Sequence, residues 1–148
     1  WYFVQASAVD PEARGVEFRN EVMGELIRFV SSHEFGHTIG LPHNMGSSSA
    51  YPVDSLRSAT FTKKYGTSPS IMDYARFNYV AQPEDKGVAL MPSDWETPNV
   101  GIYDRYSVMW GYKPILGVSE EEEKEILRSW IREKEDDLNI QVWPQWKY

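Results

Sequence analysis

The spacing of apolar residues predicts one long helix in the first third of the chain. Six positions recur every three or four residues, which is helical spacing: Val22, Leu26, Phe29, Val30, His33 and His37. Asn20 is expected to cap the start of this helix, and Gly40 with Pro42 is expected to end it after Ile39. The pattern therefore predicts about 20 residues of helix, roughly 30 Å long, with two histidines near its end.

The segments on either side of this helix have other patterns. Residues 1–8 are mostly apolar, which predicts a buried strand. Residues 44–70 are rich in Gly, Ser, Thr and Pro and are predicted to be mostly loop. A short turn and helix are predicted over 71–79, and an irregular connection over 82–98.

Two further helices are predicted in the C-terminal third. The first covers 103–112 and is expected to turn three side chains inward: Tyr106, Met109 and Trp110. Ser119 and Glu122 can form a capping box for the second, over 119–137, and the glutamates at 120–123 suit the positive end of its dipole. Its apolar stripe is expected to consist of Ile126, Leu127, Trp130, Ile131 and Leu138.

Composition narrows the class of protein. The 148 residues are 41% hydrophobic and 14% aromatic, as in a folded globular domain, and they carry a formal charge of -7 that disfavours nucleic acid as a partner. The chain has no cysteine, which excludes disulfides and thiolate metal sites. No stretch reaches the roughly 18 to 20 apolar residues of a membrane span.

Both ends of the chain are apolar and aromatic, whereas native termini are usually polar and loosely held. We therefore expect the sequence to be a piece of a longer protein, with the remainder of that parent chain as one partner. A strand at Trp1–Ala8 without neighbours would leave unpaired backbone groups, so self-association through it is also expected.

Residues 33–43 carry the pattern of a catalytic metal site. His33 and His37 are four residues apart on the predicted helix, so both imidazoles project from one face and can share a metal. A tetrahedral zinc needs a further ligand, and a straight helix would carry residue 43 too far along its axis. Gly40 can adopt a left-handed conformation that turns the chain and returns His43 to the metal. Three ligands leave a fourth position for water, so Zn²⁺ is the predicted cofactor.

Glu34 is the predicted general base of this site. It directly follows a ligand, so it points about 100° round the helix and flanks the metal. From there it can take the proton of an attacking water and deliver it to a leaving amine. All three histidines of the chain lie within residues 33–43, which makes a chance match improbable.

These eleven residues match the metzincin pattern His-Glu-x-x-His-x-x-Gly-x-x-His, and Ser70-Ile71-Met72-Asp73-Tyr74 looks like the methionine turn of that clan. More closely, the chain resembles a family of large bacterial zinc-dependent metalloproteases with a met-zincin catalytic domain. The resembling stretches are MGELIRFVSSHEFGHTIGLPHN, YPVDSLRS, PSIMDYARFNYVAQPED and GIYDRYSVMWGYKP. The resemblance implies hydrolysis of peptide bonds in an extracytoplasmic setting, which is periplasmic, cell-surface or secreted.

The resemblance also implies roles for two residues that spacing alone does not assign. Met72 would form a hydrophobic floor below the metal, although by itself it would be an ordinary core methionine. Tyr74 would be an extra zinc ligand or an oxyanion stabiliser, as in astacin- and serralysin-like metzincins, and a packed aromatic is the alternative.

The resemblance implies an α+β fold of metzincin type that is mostly helical, with a long zinc-site helix, a methionine turn, C-terminal helices and little remaining sheet. Residues 1–148 would form a partial catalytic domain. Within it, 1–43 would hold the last strand of the sheet and the zinc helix, and 44–148 the C-terminal subdomain. Metzincins usually place more sheet before the zinc helix than this chain contains, so the isolated chain is expected to be weakly active or inactive.

Three functions fit the sequence. The first is a zinc endopeptidase that acts on a peptide or protein substrate. The second is a non-catalytic, zinc-containing peptide-binding module of a larger protein, which the presence of Glu34 disfavours. The third is a thermolysin-like site with a glutamate from 120–123 as third ligand, which Gly40 and His43 make unnecessary.

Overall fold

The structure is a computed structural model of the chain and describes residues 1–75, 77–91 and 101–140. These residues form short and long helices joined by turns and irregular chain. The α-helices are α1 (Tyr2–Ala6), α2 (Asn20–Thr38), α3 (Val53–Leu56), α4 (Ala59–Tyr65), α5 (Ile102–Tyr112) and α6 (Glu120–Arg132). Two 3-10 helices cover Pro11–Arg14 and Ser47–Ala50.

The fold is helical, and the described residues contain no strand. The prediction of a mostly helical chain is confirmed, whereas the sheet of the predicted α+β fold is not found in this part of the chain. The division into 1–43 and 44–148 stays a prediction. No helix in the described ranges is long and apolar enough to cross a membrane.

The predicted strand over 1–8 is wrong, because Tyr2–Ala6 forms α1. Tyr2 and Ala6, four residues apart, are buried on one face, while Trp1 and Phe3 are more than half exposed. The Tyr2 hydroxyl donates to the Asp10 carboxylate, which ties α1 to the turn that follows it. A short apolar run fits a strand and a buried helix equally well, and here the i, i+4 contact decides.

Helix α2 matches its prediction to within one residue at its C-terminal end. Asn20 is its first residue, and Arg19 occupies the N-cap position without a side-chain capping bond, so the capping role predicted for Asn20 is wrong. At the other end Ile39 is the C-cap and Gly40 has a φ of 86°. The left-handed conformation predicted for Gly40 is therefore confirmed.

Residues 44–70 contain three helical segments where a loop was predicted. Ser58 starts α4 by accepting a hydrogen bond from the Phe61 N–H at 3.3 Å, and Gly66 ends it with a φ of 71°. The Phe61 ring packs against Tyr51 and Tyr65, with centroids 5.0 and 4.9 Å apart. Helices of four to seven residues are too short to show a clear 3.6-residue period, which is why composition suggested a loop.

Of the two predictions for the connecting segments, one is wrong in part and the other is confirmed in part. Over 71–79, where a turn and a short helix were predicted, the described residues form turns and no helix. The irregular connection over 82–98 is confirmed for 82–91, and its remainder lies outside the described residues.

Helix α5 packs on a different face from the one predicted. Tyr103 and Asp104 are buried, Tyr106 is half-buried, and Met109 and Trp110 are more than a third exposed. Tyr106 and Trp110 nevertheless contact α6, since the Tyr106 hydroxyl and the Trp110 Nε1–H donate to its backbone carbonyls, at 2.9 and 3.2 Å. The predicted inward position is therefore wrong for Met109, whereas Tyr106 and Trp110, which both contact α6, meet it in part.

Helix α6 begins with the predicted capping box. The Glu122 N–H donates to Ser119 Oγ at 3.3 Å, and the Ser119 N–H donates to Glu122 Oε2 at 2.8 Å. The helix ends at Arg132, earlier than predicted, and its apolar stripe is half-buried at Ile126, Leu127 and Trp130 but exposed at Ile131 and Leu138.

Two apolar clusters lie in the described part of the chain. The first joins α1 to the start of α2 and to the chain near residue 91, and its buried members are Tyr2, Ala6, Ala13, Val22 and Met91. The second consists of Leu41, Ile71 and Met72, with Ile39 and Val108 packed against it. The second cluster lies where the end of α2 meets the chain around Met72, so it supports the histidine segment directly.

Gly101, the N-cap of α5, provides a test of this packing. A Cβ at Gly101 would lie 1.9 Å from the Pro69 carbonyl oxygen, so Gly101→Ala forces the backbone apart. We expect a loss of at least about 2 kcal/mol in the free energy of unfolding, measured by chemical denaturation. Gly111→Ala in the same helix is the matched control, because a Cβ there meets no atom within 4 Å. It should leave stability unchanged or raise it by up to about 1 kcal/mol, and equal losses in both variants would contradict the packing described.

Candidate metal centre

Helix α2 places two imidazoles side by side. His33 and His37 lie on adjacent turns of the same face, and their ring centroids are 4.8 Å apart with the planes perpendicular. His33 is 5% exposed, whereas His37 lies at the surface. The His33 imidazole is therefore held in the interior, and the His37 imidazole faces solvent.

The turn after α2 returns the third histidine to this pair. The Gly40 N–H donates to the His37 carbonyl and the Leu41 N–H donates to the Gly36 carbonyl, both at 3.0 Å. These two hydrogen bonds form a Schellman motif, which requires the left-handed conformation at Gly40. The reversal brings His43 Nε2 to 3.0 Å from His37 Nε2.

Two backbone carbonyls fix the orientation of the imidazoles. His33 Nδ1 lies 2.6 Å from the Ile71 oxygen, and His37 Nδ1 lies 3.0 Å from the Leu41 oxygen. A carbonyl oxygen can only accept, so each Nδ1 carries the proton and each Nε2 keeps its lone pair. The turn at Gly40 thus has two effects, since it returns His43 and also supplies the carbonyl that orients His37.

The three histidines form a donor set that fits zinc. One ring nitrogen from each of His33, His37 and His43 lies within 4.8 Å of the other two. Tetrahedral zinc with bonds of about 2.0–2.1 Å holds its ligand atoms roughly 3.4 Å apart, so small side-chain adjustments would bring all three into place. Imidazole is a preferred zinc ligand, and the group contains no glutamate.

The glutamates of the thermolysin-like alternative have other contacts. Glu122 closes the capping box of α6. Glu120 pairs with Lys124, whose Nζ donates to it at 2.6 Å. Neither joins the histidine group, which agrees with a site made of three imidazoles.

A turn at residues 70–73, here called the Met72 turn, lies against the histidine face of α2. Met72 has no exposed surface and packs with Leu41 and Ile71. Its sulfur passes so close to Gly36 that a Cβ there would lie 2.4 Å from it. Gly36 lies between the two histidines of α2 in sequence, so the methionine packs on the helix at the position from which both histidines project.

Buried polar groups hold the Met72 turn in place. Asp73 Oδ2 accepts from the Ser48 N–H at 2.7 Å and from Ser47 Oγ at 3.2 Å. Burial raises the pKa of Asp73, and the hydrogen bonds it accepts oppose that shift. Asn44, which follows the third histidine, donates its backbone N–H to the Met72 carbonyl at 2.9 Å. These bonds connect the chain after His43 to the turn.

The two residues predicted to be catalytic are both exposed to solvent. The Tyr74 ring is 54% exposed, and its centroid lies 5.3 Å from that of His33 and 4.8 Å from that of His43. Glu34 is exposed on α2 beside His33. The structure therefore brings Tyr74 together with the histidines, and the roles predicted for both residues stay predictions.

Sequence reasoning missed two residues that shape this centre. Gly36 is an unconstrained position of the metal motif, and only its contact with Met72 reveals why a side chain is excluded there. Asp104 is buried in the first turn of α5 and accepts hydrogen bonds from the Met72 turn. It is the third residue after the N-cap Gly101, and no local pattern in the sequence links it to the histidines.

Three histidines that converge from one helix and from the turn ending it, with a buried methionine packed beneath, define a metzincin-type domain. The sequence model of the Met-zincin family matches residues 15–142, and the chain therefore belongs to that family. No curated protein and no solved structure matches the chain. The predicted resemblance to a metzincin is thus confirmed, and the family implies a metal that is typically zinc.

Gly36 and Gly24 offer a matched test of the methionine contact. Gly36→Ala should displace the Met72 side chain and with it the turn that binds His33, because the new methyl group overlaps the sulfur. We expect a loss of about 1–3 kcal/mol in the free energy of unfolding and a weaker affinity for zinc.

Gly24→Ala, on the same helix with no atom within 4 Å of the added Cβ, should keep zinc affinity and gain up to about 1 kcal/mol. Zinc titration and denaturation of both variants measure the effects. Wild-type affinity and stability in Gly36→Ala would refute the contact as a support of the site.

Proposed function

We propose that this domain is a zinc metallopeptidase whose ligands are His33, His37 and His43. The observation that carries the proposal is the convergence of three imidazoles, two of which donate Nδ1–H to backbone carbonyls and so offer Nε2 to a metal. Zinc bound there would lower the pKa of a bound water and polarise a peptide carbonyl. The open, solvent-facing side at His37 leaves room for a substrate.

Glu34 is the general base in this proposal. Its carboxylate is exposed on α2 next to His33, so it can accept the proton of the attacking water and pass it to the leaving amine.

Tyr74 is proposed to act on the oxyanion that develops at the substrate carbonyl, or to bind the metal before substrate arrives. The support is the position of its ring against His33 and His43. A phenol at that position can donate a hydrogen bond to developing negative charge.

The partners are proposals of the same kind. A peptide or protein is the substrate, and the remainder of a parent chain is a further partner, in an extracytoplasmic setting. Exposed apolar side chains support a partner on α2, where Met23, Ile27 and Val30 are 41–61% exposed on one face. Self-association through 1–8 no longer has an unpaired strand as its reason, and it rests on the exposed Trp1, Phe3 and Val4 alone.

The direct test of the proposed reaction is Glu34→Gln in the parent polypeptide. The amide cannot take a proton, so peptide hydrolysis should fall by about 10² to 10⁴ while zinc content stays the same. Glu21→Gln, an exposed carboxylate on the same helix, is the control and should retain wild-type hydrolysis. Cleavage of a peptide library, with zinc analysis of each variant, measures both quantities.

Undiminished hydrolysis by Glu34→Gln would show that another group is the base. A wild-type protein that binds zinc and peptide without cleaving it would instead favour the alternative, a non-catalytic peptide-binding module.

Tyr74→Phe tests the tyrosine by removing only the hydroxyl. If that group acts on the transition state, kcat should fall by about tenfold or more with little change in KM. Tyr79→Phe is the control, since Tyr79 is an exposed tyrosine of the same segment. Steady-state kinetics that show equal kcat in Tyr74→Phe and wild type would rule out the role.

A further inference from the structure

Asp104 is a buried carboxylate that binds the Met72 turn. It has no exposed surface, and its oxygens accept hydrogen bonds from Ser70 Oγ at 2.7 Å, from the Ile71 N–H at 2.8 Å and from the Gly101 N–H at 3.0 Å. All three contacts are donors to the carboxylate, so the ionised form is satisfied in the interior. Burial raises the pKa of Asp104, while these bonds and the nearby His33 oppose that shift.

A continuous chain of hydrogen bonds leads from this carboxylate to a histidine. His33 Nδ1–H donates to the Ile71 carbonyl at 2.6 Å. The N–H of the same peptide unit, at Met72, donates to Ser70 Oγ at 3.0 Å, and the Ser70 hydroxyl donates to Asp104 at 2.7 Å. Every donor in this series of hydrogen bonds points towards the Asp104 carboxylate, so the bonds polarise one another in one direction.

The turn's other buried carboxylate has no such connection. Asp73 binds Ser47 and Ser48 on the far side of the turn, and among the described residues neither bond leads to an imidazole. Asp73 therefore only holds the turn, whereas Asp104 is also linked to His33 through the 71–72 peptide. Proximity to the turn alone does not give a carboxylate this link to the histidine.

We propose that Asp104 and Ser70 are positioning residues for His33, which hold its Nδ1–H tautomer and raise the basicity of the Nε2 that binds zinc. The inference rests on the proposed zinc site. A ligand histidine typically donates its second ring N–H to a carboxylate or carbonyl, and loss of such a partner costs about 10–100-fold in metal affinity. Here a carbonyl is the direct partner, and the carboxylate acts on it through one peptide and one hydroxyl.

Asp104→Asn and Ser70→Ala test the proposal by two independent changes. Asparagine keeps the shape and an acceptor for the two backbone N–H groups, but it removes the charge and reverses the bond to Ser70. Alanine at 70 removes the link and leaves Asp104 in place. Zinc affinity, measured by competition with a chelator on the folded chain, should fall by about 10–100-fold in both.

Asp85→Asn is the matched control. Asp85 also accepts three hydrogen bonds, from Arg57 Nε and a second Arg57 nitrogen at 2.7 and 3.0 Å and from the Gln82 N–H at 2.8 Å, and none of them leads to a histidine. Its zinc affinity should stay within about twofold of wild type. An equal loss in this control would show that affinity follows general stability and would overturn the proposal, as would wild-type affinity in both Asp104→Asn and Ser70→Ala.

The nitrogen-15 chemical shifts of His33 in the metal-free chain provide a readout that does not need zinc. They should report the Nδ1–H tautomer in wild type and a weaker hydrogen bond from Nδ1–H to the Ile71 carbonyl in Asp104→Asn. A wild-type chain that binds no zinc would contradict the metal site. The chemical shifts of His33 would then test the positioning role by themselves. Unchanged His33 shifts in Asp104→Asn would then overturn the positioning role.

Discussion

The positive φ of Gly40 is the constraint on which the metal centre depends. A helix that continued past Thr38 would carry residue 43 away from the two histidines of α2. The Schellman turn instead brings His43 within 3.0 Å of His37, and its Leu41 carbonyl binds His37 Nδ1. The same turn directs the Leu41 side chain into the cluster around Met72. The convergence of the three histidines, the orientation of His37 and the packing of Leu41 therefore all depend on the backbone conformation of Gly40.

The Met72 turn has the corresponding role on the other side of the site. Its Ile71 carbonyl orients His33, and its methionine fills the space that Gly36 leaves on α2. The turn lacks regular secondary structure, so buried side chains must satisfy its backbone groups. Asp104 does so from one side by accepting from the Ile71 N–H, while Asp73, a residue of the turn itself, accepts from the Ser48 N–H on the other side. Buried charge is costly without such partners, and the dense bonding around both residues makes the turn rigid.

The parts of the site that sequence could predict are those that depend on neighbours along the chain. The spacing of His33 and His37, the turn at Gly40 and the capping box of α6 each involve residues within a few positions, and all three are present in the structure. The parts it could not predict depend on contacts between distant residues. The fit of Met72 on Gly36 and the bond from Ile71 to Asp104 join residues more than thirty positions apart.

The incorrect predictions of secondary structure and of the buried face of α5 have the same cause. The apolar run at 1–8 carried no information on its partner, and packing against Val22 and Met91 made it a helix. The inward face of α5 was assigned to its bulkiest residues, whereas the need to satisfy the Met72 turn placed Asp104 inside and left Met109 and Trp110 at the surface. A carboxylate in a helix's first turn is usually solvated, so no local rule favours its burial.

The most direct test of the metal centre is the zinc content and zinc K-edge X-ray absorption of the purified chain and of His43→Ala. We expect one zinc per chain bound by three imidazoles, and a sharp loss of bound zinc when His43 is replaced. Stoichiometric zinc in His43→Ala, with an unchanged absorption spectrum, would contradict this expectation. That result would mean that the turn at Gly40 does not deliver a ligand and that the metal, where it binds, uses other groups of the protein.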